Sequence, residues 1–394
     1  MKLLLPLLAA LLFTPLTARP QDSSAKPTEP VLEQSAVFPP GLHGIARYRI
    51  PGIVVTPKGT VLAYCEARKN GGSDWGEIEI HLRRSSDGGK TWQPPQHIAH
   101  HAPRIEGNPH KPTGGEREQT VNNPVAIVDR ITGAVEFLYC VNYARCFAIR
   151  STDEGATWSA PVEITATFEA FRKHHDWRVI ATGPGHGLQM KSGRLVVPVW
   201  IAYGKEGAHK PSAAGTIFSD DHGRTWKAGE LCLPNEGDFR NPNETMIAEQ
   251  SDGRVLLVAR SESRANRKII TTSADGATGW SKPIFHPALW EPICMASILA
   301  HPAHPGTLLF SNPHTLAWDK DGREIPARGG KRQNLSIQLS RDDGKTWPLC
   351  KTLVEGPSAY SDLAVSEDGT VLCLHERGDS IDCARFHLEW IQQP

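Results

Sequence analysis

The octet SRDDGKTW, residues 340–347, has near copies at 85–92 (SSDGGKTW), 151–158 (STDEGATW) and 219–226 (SDDHGRTW), and an altered copy at 273–280 (SADGATGW). Each reads as a turn in which the aspartate caps the backbone, the glycine takes positive φ and the tryptophan covers the next strand. Between the copies runs a second signal, a glycine followed by a β-rich stretch: Gly59 (GTVLAYC), Gly133 (GAVEFLYC), Gly193 (GRLVVPVW), Gly253 (GRVLLVA), Gly306 (GTLLFS) and Gly369 (GTVLCLH). Successive gaps are 74, 60, 60, 53 and 63 residues, and an octet follows each of the first five glycines by 18 to 34 residues. Six units of turns and short strands, with hardly any helical periodicity, predict an all-β chain: a six-bladed β-propeller with four antiparallel strands per blade. A β-helix repeats over far fewer residues, and tandem sandwiches need polar linkers that do not occur between these units. Residues 37–394 therefore read as one domain, although a length of 394 residues would by itself suggest two or three.

The composition bounds the function classes. With 43 basic residues balancing 43 acidic ones, no global charge argues for nucleic acid or an anionic membrane. The opening MKLLLPLLAALLFTPLTA places a lysine ahead of a short apolar run and then small residues, which predicts a signal peptide over 1–18 and an exported mature chain from about Arg19. No later stretch is apolar enough for a membrane span. Residues 19–36, polar and proline-rich, read as a flexible linker.

Eight cysteines in an exported chain permit disulfides, yet Cys65, Cys140, Cys294 and Cys373 lie in apolar strand-like runs where a thiol serves as a small buried hydrophobe. Only Cys140 and Cys146 are close in sequence. No CxxC or Cys/His spacing suits zinc, and His97, His100 and His101 lack partners at a metal-binding interval, so neither a metal nor a cofactor is expected.

The octet is the Asp-box, and with RYRIP at 47–51 it makes the chain resemble the bacterial-type exo-α-sialidases of glycoside hydrolase family 33 over about residues 40–390. The box alone is shared with propellers that have no catalysis, and in sialidases these turns lie away from the active site. The resemblance implies sialylated glycans as partners and a monomer or weak oligomer. The propeller leaves no length within the 394 residues for an appended carbohydrate-binding module. The altered fourth box, with alanine for glycine and glycine for threonine, departs from the family pattern in one turn only.

Sialic acid has a tertiary anomeric carbon that bears a carboxylate, and the planar fork of arginine grips such an anion best. Arg49 (YRIPGIVV), Arg260 (VLLVAR) and Arg332 (before NLSIQLS) match the family's arginine triad. A propeller presents equivalent strand ends to one mouth, so residues far apart in sequence can meet there. The same carboxylate would repel an Asp or Glu nucleophile by roughly 4 kcal/mol at about 4 Å and an effective dielectric near 20. A phenol avoids this, and sialidases are the tyrosine exception to the two-carboxylate rule of glycosidases. Tyr360 (SAYSDLAV) matches that nucleophile. Ionising a tyrosine alone at pH 7 costs about 4 kcal/mol, and Glu244 (NPNETM), 16 residues before Arg260, matches the family's base. The interval suits a hairpin whose strands return to the same mouth.

Asp74 (GGSDWGE) occupies the loop where sialidases hold their acid/base aspartate; the same residue in the same loop also suits a turn cap. Arg68 resembles the family's additional arginine, which touches the sugar's far hydroxyls. Glu376 (CLHERGD), 16 residues after Tyr360, matches a glutamate that steadies the first arginine of the triad. The glycines of TGPGHGLQM, 182–190, suit either close approach to a ligand or a tight turn. The resemblance implies an exo-α-sialidase that releases N-acetylneuraminic acid with retention. The alternatives are a Kdn-specific enzyme, a transfer or intramolecular transfer enzyme on the same site, and a non-enzymatic binding propeller.

Overall fold

The computed structural model describes residues 32–99, 104–105, 119–204, 209–325 and 330–393. The expected signal segment, 1–18, lies outside them, as do 19–31 of the expected linker. Six sheets form a ring, which is the expected six-bladed propeller. The first blade is built from Arg47–Val55, Val61–Arg68, Ile78–Ser85 and Gln96–His97, each strand antiparallel to the next. Two blades carry a fifth short strand, Gly185–His186 pairing in parallel with Val121–Val128, and Leu188–Gln189 pairing with Leu195–Ala202. Among the described residues no helix is long and apolar enough to cross a membrane.

The sixth blade explains why six glycines accompany five octets. Its first three strands are Ser361–Val365, Val371–Arg377 and Ser380–Phe386, and its outer strand is Leu32–Phe38 from the other end of the chain. In the other five blades the octet joins the third strand to the fourth, and in the sixth there is no such turn to make. This corrects the expected linker: residues 32–36 belong to the strand that closes the ring. Only Val37 and Phe38 of that strand are buried. It is held by its ladder with Ser380–Phe386, which covers an edge that would otherwise stay unpaired. Backbone pairing of this kind leaves no hydrophobic pattern in sequence.

The turn chemistry is as the sequence predicts. In the first octet the Ser85 hydroxyl donates to Asp87 Oδ1 at 2.7 Å and accepts Gly89 N–H at 2.8 Å, while Thr91 N–H and Oγ1–H donate to the two Asp87 oxygens at 2.9 and 2.6 Å. The altered box keeps this function by a shift of one residue: Thr278, in place of the missing threonine, donates N–H and Oγ1–H to Asp275 at 2.7 and 3.0 Å. Two octet tryptophans pack on their own blade, on its second strand and not on the strand after the turn as expected: Trp158 edge-on to Phe137 at 5.4 Å and Trp347 against Phe310 at 5.8 Å. All six repeat glycines have φ between 75° and 94° and turn the first strand into the second.

Both turn types lie at one end of the strands. Hydrophobic cores fill the wedges between neighbouring blades, as where Leu62, Tyr64 and Ile80 of the first blade meet Phe137, Tyr139 and Ile149 of the second. Burial of these two-sided sheets fixes the ring and leaves the opposite strand ends free to carry chemistry.

Candidate active site

Every predicted site residue lies at the end of the ring opposite the octets. Arg49 sits near the start of the first strand of blade one and Arg68 ends the second, while Asp74 is in the loop that follows. Glu244 immediately precedes Thr245–Glu249 and Arg260 immediately follows Val255–Ala259. Arg332 precedes Gln333–Ser340, Tyr360 precedes Ser361–Val365, and Glu376 is next to last in Val371–Arg377. The two intervals of 16 residues are hairpins: Arg260 N–H donates to the Glu244 carbonyl and Glu376 N–H to the Tyr360 carbonyl, each at 2.9 Å.

Tyr360 is the centre of the group. Its hydroxyl donates to Glu244, with both carboxylate oxygens at 2.7 Å, and accepts from Arg260 Nη1 at 2.8 Å. Arg260 and Glu244 also form an ion pair. The Arg49 and Arg332 guanidinium carbons stand 5.2 and 5.4 Å from the centroid of the Tyr360 ring, so three cations surround one phenol. Burial pushes the Tyr360 hydroxyl well above its ordinary pKa, with Glu244 adding to the shift and Arg260, Arg332 and Arg49 opposing it. The phenol is therefore neutral at pH 7 and already hydrogen-bonded to the Glu244 side chain.

Glu376 holds Arg49 by two contacts, Nε to Oε1 at 3.2 Å and Nη2 to Oε2 at 3.3 Å, and accepts Ile50 N–H at 2.9 Å. Burial would raise its pKa, but Arg49 and the Ile50 and Tyr360 N–H groups keep it below the usual carboxylate range. Ile50 has φ 60°, a conformation costly for a β-branched residue, and the ladder is interrupted between Arg49 and Gly52. Gly52 is required there because a Cβ would lie 2.1 Å from the Tyr64 ring. The bulge aims Arg49 at Tyr360.

Asp74 is 41% exposed on its side chain, and its Oδ1 lies 2.8 Å from Arg68 Nη1 and 3.8 Å from Arg49 Nη1. Burial would raise its pKa, but Arg68, Arg49 and His209 outweigh it and lower the group from its ordinary value. Arg332 differs from the other three arginines: among the described residues no carboxylate lies within ion-pair distance, and Nη2 donates to the Ile293 carbonyl. Its charge is thus not neutralised by a carboxylate among the described residues, which leaves it available to an incoming anion.

Sequence reasoning missed several supporting groups. Glu66 is fully buried, binds Arg68 Nε and Nη2 at 3.0 and 2.6 Å, and accepts Asn123 N–H. Its signal was present as one charged residue inside the apolar run VLAYC-E-A. Trp75, beside Asp74, packs its ring against Tyr143 at 4.4 Å and His209 at 5.3 Å, a wall assembled from three blades that no local pattern announces. The segment 182–190 makes turns and short strands, and Gly185 O accepts the Tyr64 hydroxyl at 2.7 Å. Among the described residues no cluster of three His, Cys, Asp or Glu suits a metal ion. The eight thiols are unpaired, and all but Cys350 are buried.

The family of BNR repeat-like domains matches residues 59–373. A sialidase of Micromonospora viridifaciens is 32% identical over 92% of this chain, and one of Bacteroides fragilis is 30% identical over 84%. The chain spans 55% and 60% of the length of these two relatives. Mouse Sialidase-2 is 28% identical over 89% of the chain and 94% of its own length. Among solved structures, a Hadza microbial sialidase superposes with a TM-score of 0.74 at 28% identity, over 91% of this chain and 69% of its own. The intramolecular trans-sialidase from Ruminococcus gnavus shares the fold, with a TM-score of 0.70 at 18% identity. The chain belongs to the BNR repeat-like domain family and is similar over most of its length to sialidases.

Proposed function

We propose that the protein is an exported exo-α-sialidase that hydrolyses terminal α-linked sialic acid from glycoproteins, glycolipids and oligosaccharides. One observation carries this reading: a neutral Tyr360 hydroxyl sits between Glu244 and Arg260, with Arg49 and Arg332 at its ring. Three guanidinium groups around one phenol suit a carboxylate on the reacting carbon, and a phenol suits attack on a carbon that already bears an anion.

In this mechanism Arg49, Arg260 and Arg332 bind the carboxylate and help bend the ring. Glu244 takes the Tyr360 proton as the phenolic oxygen attacks the anomeric carbon, and Asp74 gives its proton to the departing oxygen. The product is a glycosyl-tyrosine. Asp74 then takes a proton from water as the water oxygen attacks the same carbon, Glu244 returns the proton to the tyrosine, and two inversions give net retention. Asp74 must be protonated first, and its pKa is low in the unliganded protein. Covering it with substrate removes water and raises it, while the sugar carboxylate competes for Arg49. Arg68 reaches the far hydroxyls of the sugar.

A fluorogenic aryl sialoside, with proton NMR of the first-formed sugar, tests this. Release of α-sialic acid is expected. Failure of the purified protein to cleave sialosides, or a first product of the β configuration, would overturn it.

A further inference from the structure

Lys268 and Glu291 form an ion pair at 2.9 Å and are 0% and 1% exposed. Burying both charges is costly unless surrounding polar groups are satisfied, and each makes further contacts. Lys268 Nζ donates to the Cys294 carbonyl at 2.5 Å. Glu291 Oε1 accepts Cys294 N–H at 3.0 Å, and Oε2 accepts Ser261 N–H at 3.1 Å. The pair thus grips Cys294 at both its N–H and its carbonyl, and holds Ser261 with the same carboxylate.

These are the backbone positions next to two arginines of the mouth. Ser261 directly follows Arg260, and Ile293, just before Cys294, offers its carbonyl to Arg332 Nη2. Ile293 is held at φ 57°, a strained value for a β-branched residue, so the carbonyl's direction depends on what fixes the residues beside it. Burial pushes the Cys294 thiol up to about 11, with Glu376 adding to the shift and Arg332, Lys268 and Arg260 opposing it.

We propose that Lys268 and Glu291 are positioning residues that set the spacing between Arg260 and Arg332, as Glu376 sets Arg49. Neither residue hydrogen-bonds Tyr360 or an arginine side chain; the pair acts through the Ser261 and Cys294 backbone, and the Glu291 charge also favours the charged form of Arg260. The inference rests on reading the two arginines as carboxylate binders, and it locates carboxylate recognition partly in a buried charge pair behind them.

The test uses the full chain and a 2,3-didehydro analogue of sialic acid as probe, with binding by calorimetry and turnover of an aryl sialoside. Lys268→Met is expected to weaken binding of the analogue at least tenfold and to raise KM in parallel, with kcat changed less than about threefold. Glu291→Gln keeps the side-chain shape and serves where the methionine variant does not fold. The double variant K268M/E291L removes both charges and is expected to regain unfolding temperature relative to Lys268→Met, yet to keep the weak binding, because the backbone grips are gone. Wild-type affinity in a folded single variant, or affinity recovered together with stability in the double variant, would overturn the inference. Absence of analogue binding by the wild-type protein would instead overturn the sialidase reading.

Discussion

The Tyr360 hydroxyl stands 2.7 Å from both carboxylate oxygens of Glu244, joining blade six to blade four past the blade between them. Each partner sits on a hairpin whose other strand carries a charged neighbour: Arg260 beside Glu244, and Glu376 beside Tyr360. The proposed base and nucleophile are thus brought together by two rigid sheets, which favours a single geometry over a range of loop conformations.

Tyr360→Phe separates chemistry from binding. The variant loses the hydroxyl's bonds to Glu244 and Arg260, at a stability cost of about 1–2 kcal/mol, and keeps the three arginines. Turnover of an aryl sialoside is expected to fall at least ~1000-fold, with unfolding temperature and affinity for free sialic acid close to wild type. Steady-state kinetics and calorimetry on the purified variant check both halves; hydrolysis within tenfold of wild type would remove the proposed nucleophile.

Asp74→Ala should discriminate between leaving groups. A sugar hydroxyl leaves poorly without a proton, whereas an activated phenol needs little help. Cleavage of sialyllactose is expected to drop about 10-fold or more beyond the drop for an aryl sialoside. Equal losses on both substrates would return Asp74 to the role of a turn cap.

The pH dependence follows from the same residue. Arg68, Arg49 and His209 outweigh burial and lower the Asp74 pKa in the free protein, so its protonated form declines with rising pH already in the acid range. The basic limb of kcat/KM, which reports the free protein, is expected at lower pH than the basic limb of kcat, where substrate covers the carboxyl. Coincident limbs would show that substrate does not raise this group.

The ring itself was legible because all six blades repeat the glycine turn and five of them the octet, whose glycine and Asp/Thr chemistry is local. The residues that meet in the mouth were legible through family resemblance at strand ends, where Arg49, Arg260 and Tyr360 stand next to recognisable strands. What escaped was non-local. The closing strand Leu32–Phe38 is held by backbone pairing to residues more than 340 positions away, and its exposed side chains read as linker. Lys268 and Glu291 are buried charges that meet from a strand and from the loop after the next one, so composition gives no hint of their pairing.

The octets give a stability prediction independent of the mouth. In Asp153, Asp221 and Asp342 the pKa falls from an ordinary 3.8 to about 2; threonine and backbone bonds lower all three, outweighing a burial effect that comes first only at Asp342. A carboxyl whose folded pKa is depressed stabilises the fold above its unfolded pKa, and loses that contribution as pH falls through the folded one. Unfolding temperature should therefore decline as pH drops from about 4 to 2. Asp342→Asn is expected to lower it by about 2 °C at pH 7 and to show a shallower acid decline, since one titrating octet is gone. Turnover per folded molecule should stay unchanged, because Asp342 and Tyr360 lie at opposite ends of their blades. A loss of kcat at constant stability would mean that these turns report to the mouth, contrary to their placement.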